Sequence, residues 1–599
     1  MVVPADAVPV KFDGELTTTQ TRVANEIRRT LSSTPWRRLE ERWNEMQVGR
    51  QGSYSVERLE SLENYCNSTS QTRVMFVCLL TPLPGLMTAS LLECLPLRSP
   101  PDGWAANWVF WVRFSIMVCS LVFFGIDAFN QFVPNFGLTS KRRMIVSLGT
   151  TVGYVGICLV VAATNIMGFP ILFIWQGGGL AVGIFIPIMF LVLFGAAPFT
   201  SSSPFRPHIQ RYVRLFLAYM SLGAVFPLYE LLYEFVPDIY KSGIFIVLPV
   251  WKFGAKHFIM LASRELEDFI PVVVALTVDF FSAMFVSVCI SSSGPTYLSV
   301  LIIAADIGQI MLEFREVRDN SKTLLTLLES AGERYAVQGE TANYSTPNTT
   351  YLLSQILAVT RNPAAFNIVS LKRTRLWAYL PHRITSEQHD RLIVLEASAV
   401  YGPRGLISRT RRRSSQARRQ SRRLLLNWQL AKPTSIAPAP LNRLWSKGPS
   451  CANGIQSVEG VQSRELVAQG LQLQFHCEYL ALVEYVECVV PLVFATNKLI
   501  LKELPNAVYY PGGASKWGVT ALANVFLYAA LDICSLFLLN HFLKRKFVFS
   551  PLYQLAFALE SSMHFVQGVL FIEIVGLLQY ELMHLDTNSS TFSLLITAL

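Results

Sequence analysis

The chain has 599 residues, of which 52% are hydrophobic and only 15% are charged, and its formal net charge at pH 7 is +10. This is too little charge and too much apolar length for an ordinary soluble multidomain protein. The sequence has no GxxxxGK[ST] phosphate loop, no HExxH, no GxSxG and no GxGxxG after a strand, so it gives no support to an ABC-type pump, a zinc protease or a serine hydrolase. Composition therefore indicates a membrane protein and no enzyme of these classes.

Apolar stretches recur along the chain from residue 74 onward, and many reach the roughly 20 residues that a helix needs to cross a bilayer core of about 30 Å. The predicted fold class is all-α, a polytopic membrane helical bundle with about 11 (10–12) transmembrane helices and a long cytoplasmic loop. The predicted spans begin near Val74, Trp108, Met144, Ile171, Val213, Gly243, Ile270, Tyr297, Tyr479, Trp517 and Leu552. The sixth carries Lys252, Lys256 and His257, which favours a half-inserted or pore-facing helix.

The distribution of apolar and polar stretches divides the chain into five regions. We expect a cytoplasmic N-terminal region at 1–73, a first transmembrane bundle of about eight spans at 74–313, and a cytoplasmic, Arg-rich, largely irregular loop at 314–476. A second bundle of about three spans at 477–585 and a tail at 586–599 complete the prediction.

Orientation follows from the short loops, because Lys and Arg are retained on the cytoplasmic side during insertion. Basic residues cluster in alternate loops, for example at 141–143, 206–214 and 544–546. This pattern predicts that the N-terminus and the long loop are cytoplasmic. Eleven spans would place the C-terminal tail on the opposite side, and ten spans would reverse it.

Two further patterns concern helix packing and symmetry. The glycine pairs Gly149/Gly153 and Gly179/Gly183 suit close helix packing. A faint similarity between residues 232–279 and 482–532 aligns Asp279 with Asp532 and would make the repeats inverted, as in many secondary transporters. Chance similarity of membrane sequences explains the alignment equally well.

Acidic residues within the apolar spans are the candidate site residues, because ionisable groups at membrane depth are costly. The predicted substrate or ion site consists of Asp279, Glu484, Glu487 and Asp532, and other acidic residues such as Glu560 and Glu573 also fall in spans. Carboxylates at this depth can bind a cation or relay a proton. The alternative is a structural role, in which they pair with Arg113, Lys252, Lys256 or Lys498. The ten cysteines include no CxxC pair, so no metal and no cofactor is predicted.

The long loop contains an arginine-rich run at 409–423, which would be attracted to anionic lipids by roughly 1 kcal/mol per basic residue. The predicted lipid contacts are Arg411, Arg412, Arg413, Arg418, Arg419, Arg422 and Arg423. Ser414, Ser415 and Ser421 lie among these arginines as basophilic kinases prefer, and phosphorylation would reduce the charge. An unbound basic linker is the alternative, and no nucleic-acid partner is expected because no RNA- or DNA-reading pattern accompanies the charge.

Five strings carry a resemblance to a known family: LTPLP, VDFFSAMFVS, EYVECVVP, LPNAVYYP and SPLYQLAFALE, at residues 80–84, 278–287, 484–491, 504–511 and 550–560. Together they resemble a large uncharacterised multi-pass transmembrane protein family of oomycetes, over most of the chain from about residue 59. The chain has Ser282 and Phe285 where that family often has Asn and Tyr. The resemblance implies membrane residence and a shared architecture, and it supplies no activity.

Two functional hypotheses from different classes follow. The first is a cation- or proton-coupled transporter of a small solute, with its site at the four acidic residues. The second is a membrane-anchored signalling or scaffold protein that acts through its basic loop on anionic lipid. A membrane-embedded enzyme is a third alternative, which would require a cavity with a carboxylate beside a histidine such as His257 or His564.

Overall fold

The structure is a computed structural model. It describes residues 46–164, 169–171, 174–235, 241–292, 351–366, 370–402, 458–510, 517–547, 550–579 and 581–585, together with Ile368, Gly513 and scattered single residues between 304 and 318. The arginine-rich run with its three serines, the span predicted from Tyr297 and the C-terminal tail lie outside the described residues.

The first half of the bundle consists of helices joined by short turns. Polar N-caps start several of them; for example, the Ser55 and Thr139 side chains accept hydrogen bonds from backbone N–H groups of the first turns that follow. The helices are α1 (Val56–Ser68), α2 (Gln71–Leu80), α3 (Leu83–Glu93), α4 (Trp108–Phe132), α5 (Ser140–Ala163), α6 (Ile174–Phe194), α7 (Arg206–Phe235) and α8 (Lys241–Ser263).

The rest of the described chain is also helical, and within it the one extended pairing is an isolated bridge between Leu371 and Tyr401. The helices are α9 (Ile270–Val274), α10 (Phe280–Ser292), α11 (Tyr351–Arg361), α12 (Ser386–Ala397), α13 (Val458–Lys502), α14 (Val519–Phe547), α15 (Pro551–Ser561) and α16 (Met563–Leu570). Two π-helical segments, Ala275–Asp279 and Phe571–Leu577, interrupt this pattern. Single 3₁₀ turns lie at Val48–Arg50, Pro100–Asp102, Ala197–Phe199, Glu267–Phe269, Pro363–Phe366, Pro505–Tyr509 and Met583–Leu585.

Within the part of the chain that the structure describes, seven helical stretches are long and apolar enough to cross a membrane, and a bent pair, Pro551–Ser561 with Met563–Leu577, raises the number to eight if it forms one span. The seven are Gln71–Glu93, Trp108–Phe132, Ser140–Ala163, Gly177–Phe194, Glu267–Ser291, Ser463–Lys502 and Val519–Arg545. The all-α class is confirmed, and the count of eleven is not. The predicted spans near Val213 and Gly243 form helices α7 and α8, which are not among the seven.

Helix α13 organises the bundle. It has 45 residues, so it is about 67 Å long, roughly twice what a bilayer core requires. The span predicted from Tyr479 is its C-terminal half. The N-terminal half extends out of the apolar region and packs against α11 and the turn Val48–Arg50.

The protruding end of α13 belongs to a polar cap built from two distant parts of the sequence. Arg361 of α11 donates to both oxygens of Glu60 in α1, at 2.8 and 2.6 Å. Arg375 donates to Asp268 at 2.8 Å, and Asp268 also accepts from the backbone N–H of Ser55 at 3.0 Å. These bonds join the N-terminal region and the long loop to the end of the bundle.

The two glycine pairs differ in their surroundings. A Cβ on Gly149 would lie 2.4 Å from Met189, and one on Gly153 would lie 2.5 Å from the Phe185 ring. Close packing of α5 on α6 is therefore confirmed at the first pair. A Cβ on Gly179 or Gly183 would meet no atom within 4 Å, so close packing is wrong for the second pair.

Candidate functional site

Asp279 lies at the middle of the apolar stretch Glu267–Ser291 and ends a π-helical segment, Ala275–Asp279. At 1.5 Å per residue it is about 18 Å from either end of that stretch. Its side chain has no exposure to solvent or lipid. π-Helical turns are rare and occur frequently at functional sites, because the widened turn changes the direction of side chains.

Two lysines of α8 reach the Asp279 carboxylate. Lys252 Nζ lies 3.1 Å and Lys256 Nζ 2.8 Å from Asp279 Oδ1. Lys252 Nζ also lies 3.0 Å from Glu487 Oε1 on α13. Lys256 donates to the Tyr479 hydroxyl at 2.6 Å, and that hydroxyl lies 3.4 Å from Asp279 Oδ2. We call Lys252, Lys256, Asp279, Tyr479 and Glu487 the midspan cluster.

The sequence explains why these groups meet. Lys252 and Lys256 are four residues apart, so they lie one above the other on one face of α8. Pro249 lies one turn before Lys252 and removes a backbone donor, which allows α8 to bend there.

The midspan cluster holds two positive and two negative formal charges when all four groups are ionised. An unpaired charge in a low-dielectric interior costs several kcal/mol, whereas a matched set is tolerated. Because Lys252 pairs with both Asp279 and Glu487, a change of charge at either carboxylate affects the other.

The four acidic residues predicted as a site fall into two groups. Asp279 and Glu487 share Lys252. Glu484 is buried one turn before Glu487 on α13, and Asp532 is buried on α14, the helix that packs most extensively on α13. Neither of these two carboxylates is without a partner. The contacts of Asp279 and Glu487 with Lys252 correspond to the pairing with lysine that the sequence offers as the alternative to an ion site.

A second polar group lies nearer the cap on α13. Arg58 of α1 donates to Glu478 Oε1 at 2.7 Å, and the Tyr54 hydroxyl also donates to Glu478. The Arg58 and Glu478 side chains are almost completely buried. His382 lies 3.3 Å from Arg58 Nη1, and burial together with the positive charge of Arg58 lowers the pKa of His382 to about 3. We call Tyr54, Arg58 and Glu478 the cap cluster.

A third group lies at the other end of α13. Arg113 on α4 pairs with Glu93 and donates to Gln579 at 3.0 Å. Lys498 of α13 lies 2.8 Å from Glu581 and 4.6 Å from the centre of the Trp517 ring. Arg113 and Lys498 therefore pair with groups other than the four predicted acidic residues.

Helix α13 contributes to all three groups, with Tyr479 and Glu487 in the midspan cluster; Glu478, Glu487 and Lys498 follow one another along it. Nine and eleven residues separate them, which corresponds to about 14 and 17 Å along the helix. The total of about 30 Å equals the thickness of a bilayer core. Glu478 and Lys498 are therefore about one bilayer-core thickness apart with Glu487 between them, while Tyr479 places one end of the midspan cluster directly beside Glu478.

The proposed duplication finds no support in the ion pairs. The same alignment pairs Lys256 with Lys498, but Lys256 contacts Asp279, whereas Lys498 contacts Glu581. The aligned residues are therefore in different environments.

The remaining alternatives concern enzymes and metals. His564 Nδ1 lies 2.7 Å from Asp127 Oδ2, but the histidine side chain is half exposed and the same carboxylate pairs with Arg143. His257 contacts the backbone oxygen of Phe253 at 3.0 Å. In the part of the chain that the structure describes, no group of three His, Cys, Asp or Glu is arranged to hold a metal ion.

Sequence reasoning missed Tyr479 as a member of the cluster and treated the lysines only as possible partners. A signal existed for the lysines, because two cations four residues apart in an apolar stretch must share one helix face. No comparable signal marks Tyr479, since a tyrosine in a span is common.

The chain matches no family model, and no curated protein and no solved structure is similar to it. The class of protein therefore has to be inferred from the helices and the buried charges of this chain. Long apolar helices packed around buried charged groups define a multi-pass integral membrane protein.

Proposed function

We propose that this membrane protein transports a small solute and couples that transport to protons or cations through the midspan cluster. The observation that carries the proposal is that carboxylates from two different elements, Asp279 and Glu487, share Lys252 halfway along the bundle. Charged groups at this depth are costly, and in membrane proteins they mark ion or substrate pathways and proton relays.

The charge balance supplies a mechanism. Protonation or cation binding at Asp279 would remove the attraction that holds Lys252 and Lys256 against it. The two positive charges would then favour movement of α8, whose Pro249 permits bending. The structure would correspond to the closed state, in which every carboxylate of the cluster has a lysine partner.

The polar cap supports the predicted topology. The Arg361–Glu60 pair joins α1 to α11, which supports placing the N-terminal region and the long loop on one side of the membrane. We assign this side to the cytoplasm on the basis of the basic loops.

The test is coupled flux in proteoliposomes that contain the full-length protein and an internal pH indicator. Panels of amino acids, sugars, nucleosides, organic acids and inorganic cations are added outside, and we expect at least one to drive proton movement. Asp279→Asn should abolish the response, because the lysines then lose one of their two counter-charges. A response that is unchanged in Asp279→Asn would refute the assigned site.

A matched control is available outside the apolar region. Glu265 also has two cationic partners, Arg211 at 2.8 Å and Arg214 at 3.3 Å, but it is partly exposed. We expect Glu265→Gln to leave flux unchanged, since exposed ion pairs contribute little. Loss of flux in both variants would indicate a general effect on folding.

The cap favours a second function, contact of the basic loop with anionic lipid. Helices α11 and α12 precede residues 409–423 in the sequence and α13 follows them, so helices of the cap lie on both sides of this run along the chain. The run would then stay near the membrane surface, and the resemblance to a multi-pass oomycete family is compatible with this function. A synthetic peptide of residues 404–428 should bind anionic vesicles in a salt-sensitive manner. No binding at low salt would exclude this function.

A further inference from the structure

An apolar cavity of about 550 Å³ lies among α4, α6, α7 and the π-helical segment Phe571–Leu577. Its volume falls within the range of roughly 300–1,000 Å³ that small-molecule sites occupy. Apolar residues line most of it, including Phe114, Ile186 and Phe281. None of the residues of the midspan cluster lines it.

Glu573 is the one acidic or basic residue in the cavity lining, and it is completely buried. One oxygen, Oε1, accepts a hydrogen bond of 2.6 Å from the Tyr219 hydroxyl. The other oxygen, Oε2, has no hydrogen-bond partner among the described residues. Because an unsatisfied buried polar atom costs about 1–3 kcal/mol, this oxygen is a position where a ligand donor would be stabilised.

The cavity lies close to the lipid. Helix α6 forms one wall, and most of this helix is exposed on its outer side, as at Leu180 and Val192. Gly179 and Gly183 of α6 line the cavity, and a Cβ on either would meet nothing within 4 Å. The glycines therefore leave space at the wall that separates the cavity from the membrane.

We propose that this cavity binds a lipid alcohol, meaning a largely apolar molecule with one hydroxyl group that donates to the free oxygen of Glu573. One free acceptor matches one O–H donor. An ammonium group has three donors, and the cavity offers too few acceptors for them. A fatty acid carboxylate would bring a second negative charge against an ionised Glu573, which is unfavourable.

The test uses the full-length protein in nanodiscs and a photoreactive diazirine analogue of cholesterol as the probe. We expect saturable labelling of α4 and α6 peptides. Unlabelled cholesterol or 1,2-dioleoylglycerol should compete, and the stronger competitor identifies a sterol or a glyceride as the ligand. Oleylamine and oleic acid should compete about tenfold less well, the equivalent of one hydrogen bond.

Three variants locate the site. Glu573→Leu should weaken binding about tenfold, because the acceptor is lost. Glu573→Gln retains an acceptor and should preserve binding of the alcohol. Gly179→Leu should block binding by filling the cavity, while Gly254→Leu, an exposed glycine of α8 with open space around it, serves as the matched control and should bind normally.

Each opposite result overturns the proposal. Preferential competition by oleylamine together with loss of binding in Glu573→Gln would show a cationic ligand instead. Labelling that persists in Gly179→Leu would place the lipid elsewhere. Absence of saturable labelling by the probe, and of competition by either alcohol, would show that the cavity takes no lipid alcohol. Because none of these variants alters the midspan cluster, failure here leaves the proposed transport function untouched.

Discussion

Two buried carboxylates lie on the two π-helical segments found among the described residues, and their partners differ. Asp279 has two lysines and a tyrosine around it. Glu573 has one tyrosine and an apolar cavity. The first carboxylate is balanced within the protein, whereas the second has an unused acceptor oxygen.

This difference shows that a carboxylate in a span does not define a function by itself. Around Asp279, any change of protonation disturbs a set of matched charges, which suits coupling to an ion. Around Glu573, the residues that the structure describes supply no counter-charge, which suits recognition of a hydrogen-bond donor from outside the protein. The following predictions test this contrast.

Removal of the shared cation should have the strongest effect. In Lys252→Met, Asp279 keeps its contact with Lys256, whereas Glu487 loses its lysine partner. We expect a loss of about 3–5 kcal/mol in the free energy of unfolding. Unfolding by SDS titration in mixed micelles measures it. Glu573→Gln should cost less than about 1 kcal/mol, because its bond to Tyr219 is preserved.

A double variant provides the control for the shared lysine. Lys252→Met combined with Glu487→Gln removes one charge of each sign and should recover part of the lost stability. Equal stability of Lys252→Met and the wild-type protein would contradict the proposed charge balance.

Two tyrosine variants compare the carboxylates directly. Tyr219→Phe removes the hydrogen bond to Glu573 and should cost about 1–3 kcal/mol, since the carboxyl group then has no described partner. Tyr479→Phe should cost under about 1 kcal/mol, because Asp279 keeps both lysines. The same SDS titration measures both, and the reverse order of the two losses would show that the lysines do not satisfy Asp279.

Acid should weaken the cap independently of the bundle, through His382. The pKa of His382 is about 3 in the folded protein and about 6.5 in the unfolded chain, so the unfolded state binds more protons between these values. Above pH 6.5 His382 therefore leaves the free energy of unfolding unchanged. As the pH falls toward 3, the free energy of unfolding decreases by about 1.4 kcal/mol per pH unit. His382→Gln should flatten the dependence of the melting temperature on pH in this window. An unaltered slope would contradict the assignment and attribute the acid response to other groups.

The smallest effect concerns the glycines of α5 and α6. Gly179→Ala should stabilise by about 0.5–1 kcal/mol, since alanine favours the helix and its Cβ meets open space. Gly153→Ala should destabilise, because Phe185 must move. Melting temperatures of the two variants measure the difference, and similar values would show that no cavity lies beside Gly179.

The sequence predicts part of this architecture, and the reason is physical. Apolar length is local, so the spans that begin near Trp108 and Met144 are found where they were expected. Helices α7 and α8 are not among the apolar spans, and α8 carries charged residues whose partners lie on other helices. The role of α8 therefore depends on its packing against the π-helical segment and α13, and this packing cannot be predicted from the sequence of α8 alone.

The candidate site is likewise predictable from the sequence only in part. Asp279 and Glu487 are recognisable as carboxylates in apolar surroundings, but which lysine they share depends on contacts between residues more than 200 positions apart. Glu573 looks like any other acidic residue in a span. Its free oxygen and the cavity before it arise from the packing of several helices and from the glycines of α6.

The most direct test of the coupling role is infrared difference spectroscopy of the full-length protein in lipid vesicles, recorded across steps of pH. If the midspan cluster exchanges protons, a band of a protonated carboxyl group appears on acidification and is absent in Asp279→Asn. If the spectra of wild-type protein and Asp279→Asn are identical, the lysines hold Asp279 permanently ionised. The cluster would then be a structural element of the bundle, in contradiction to proton coupling.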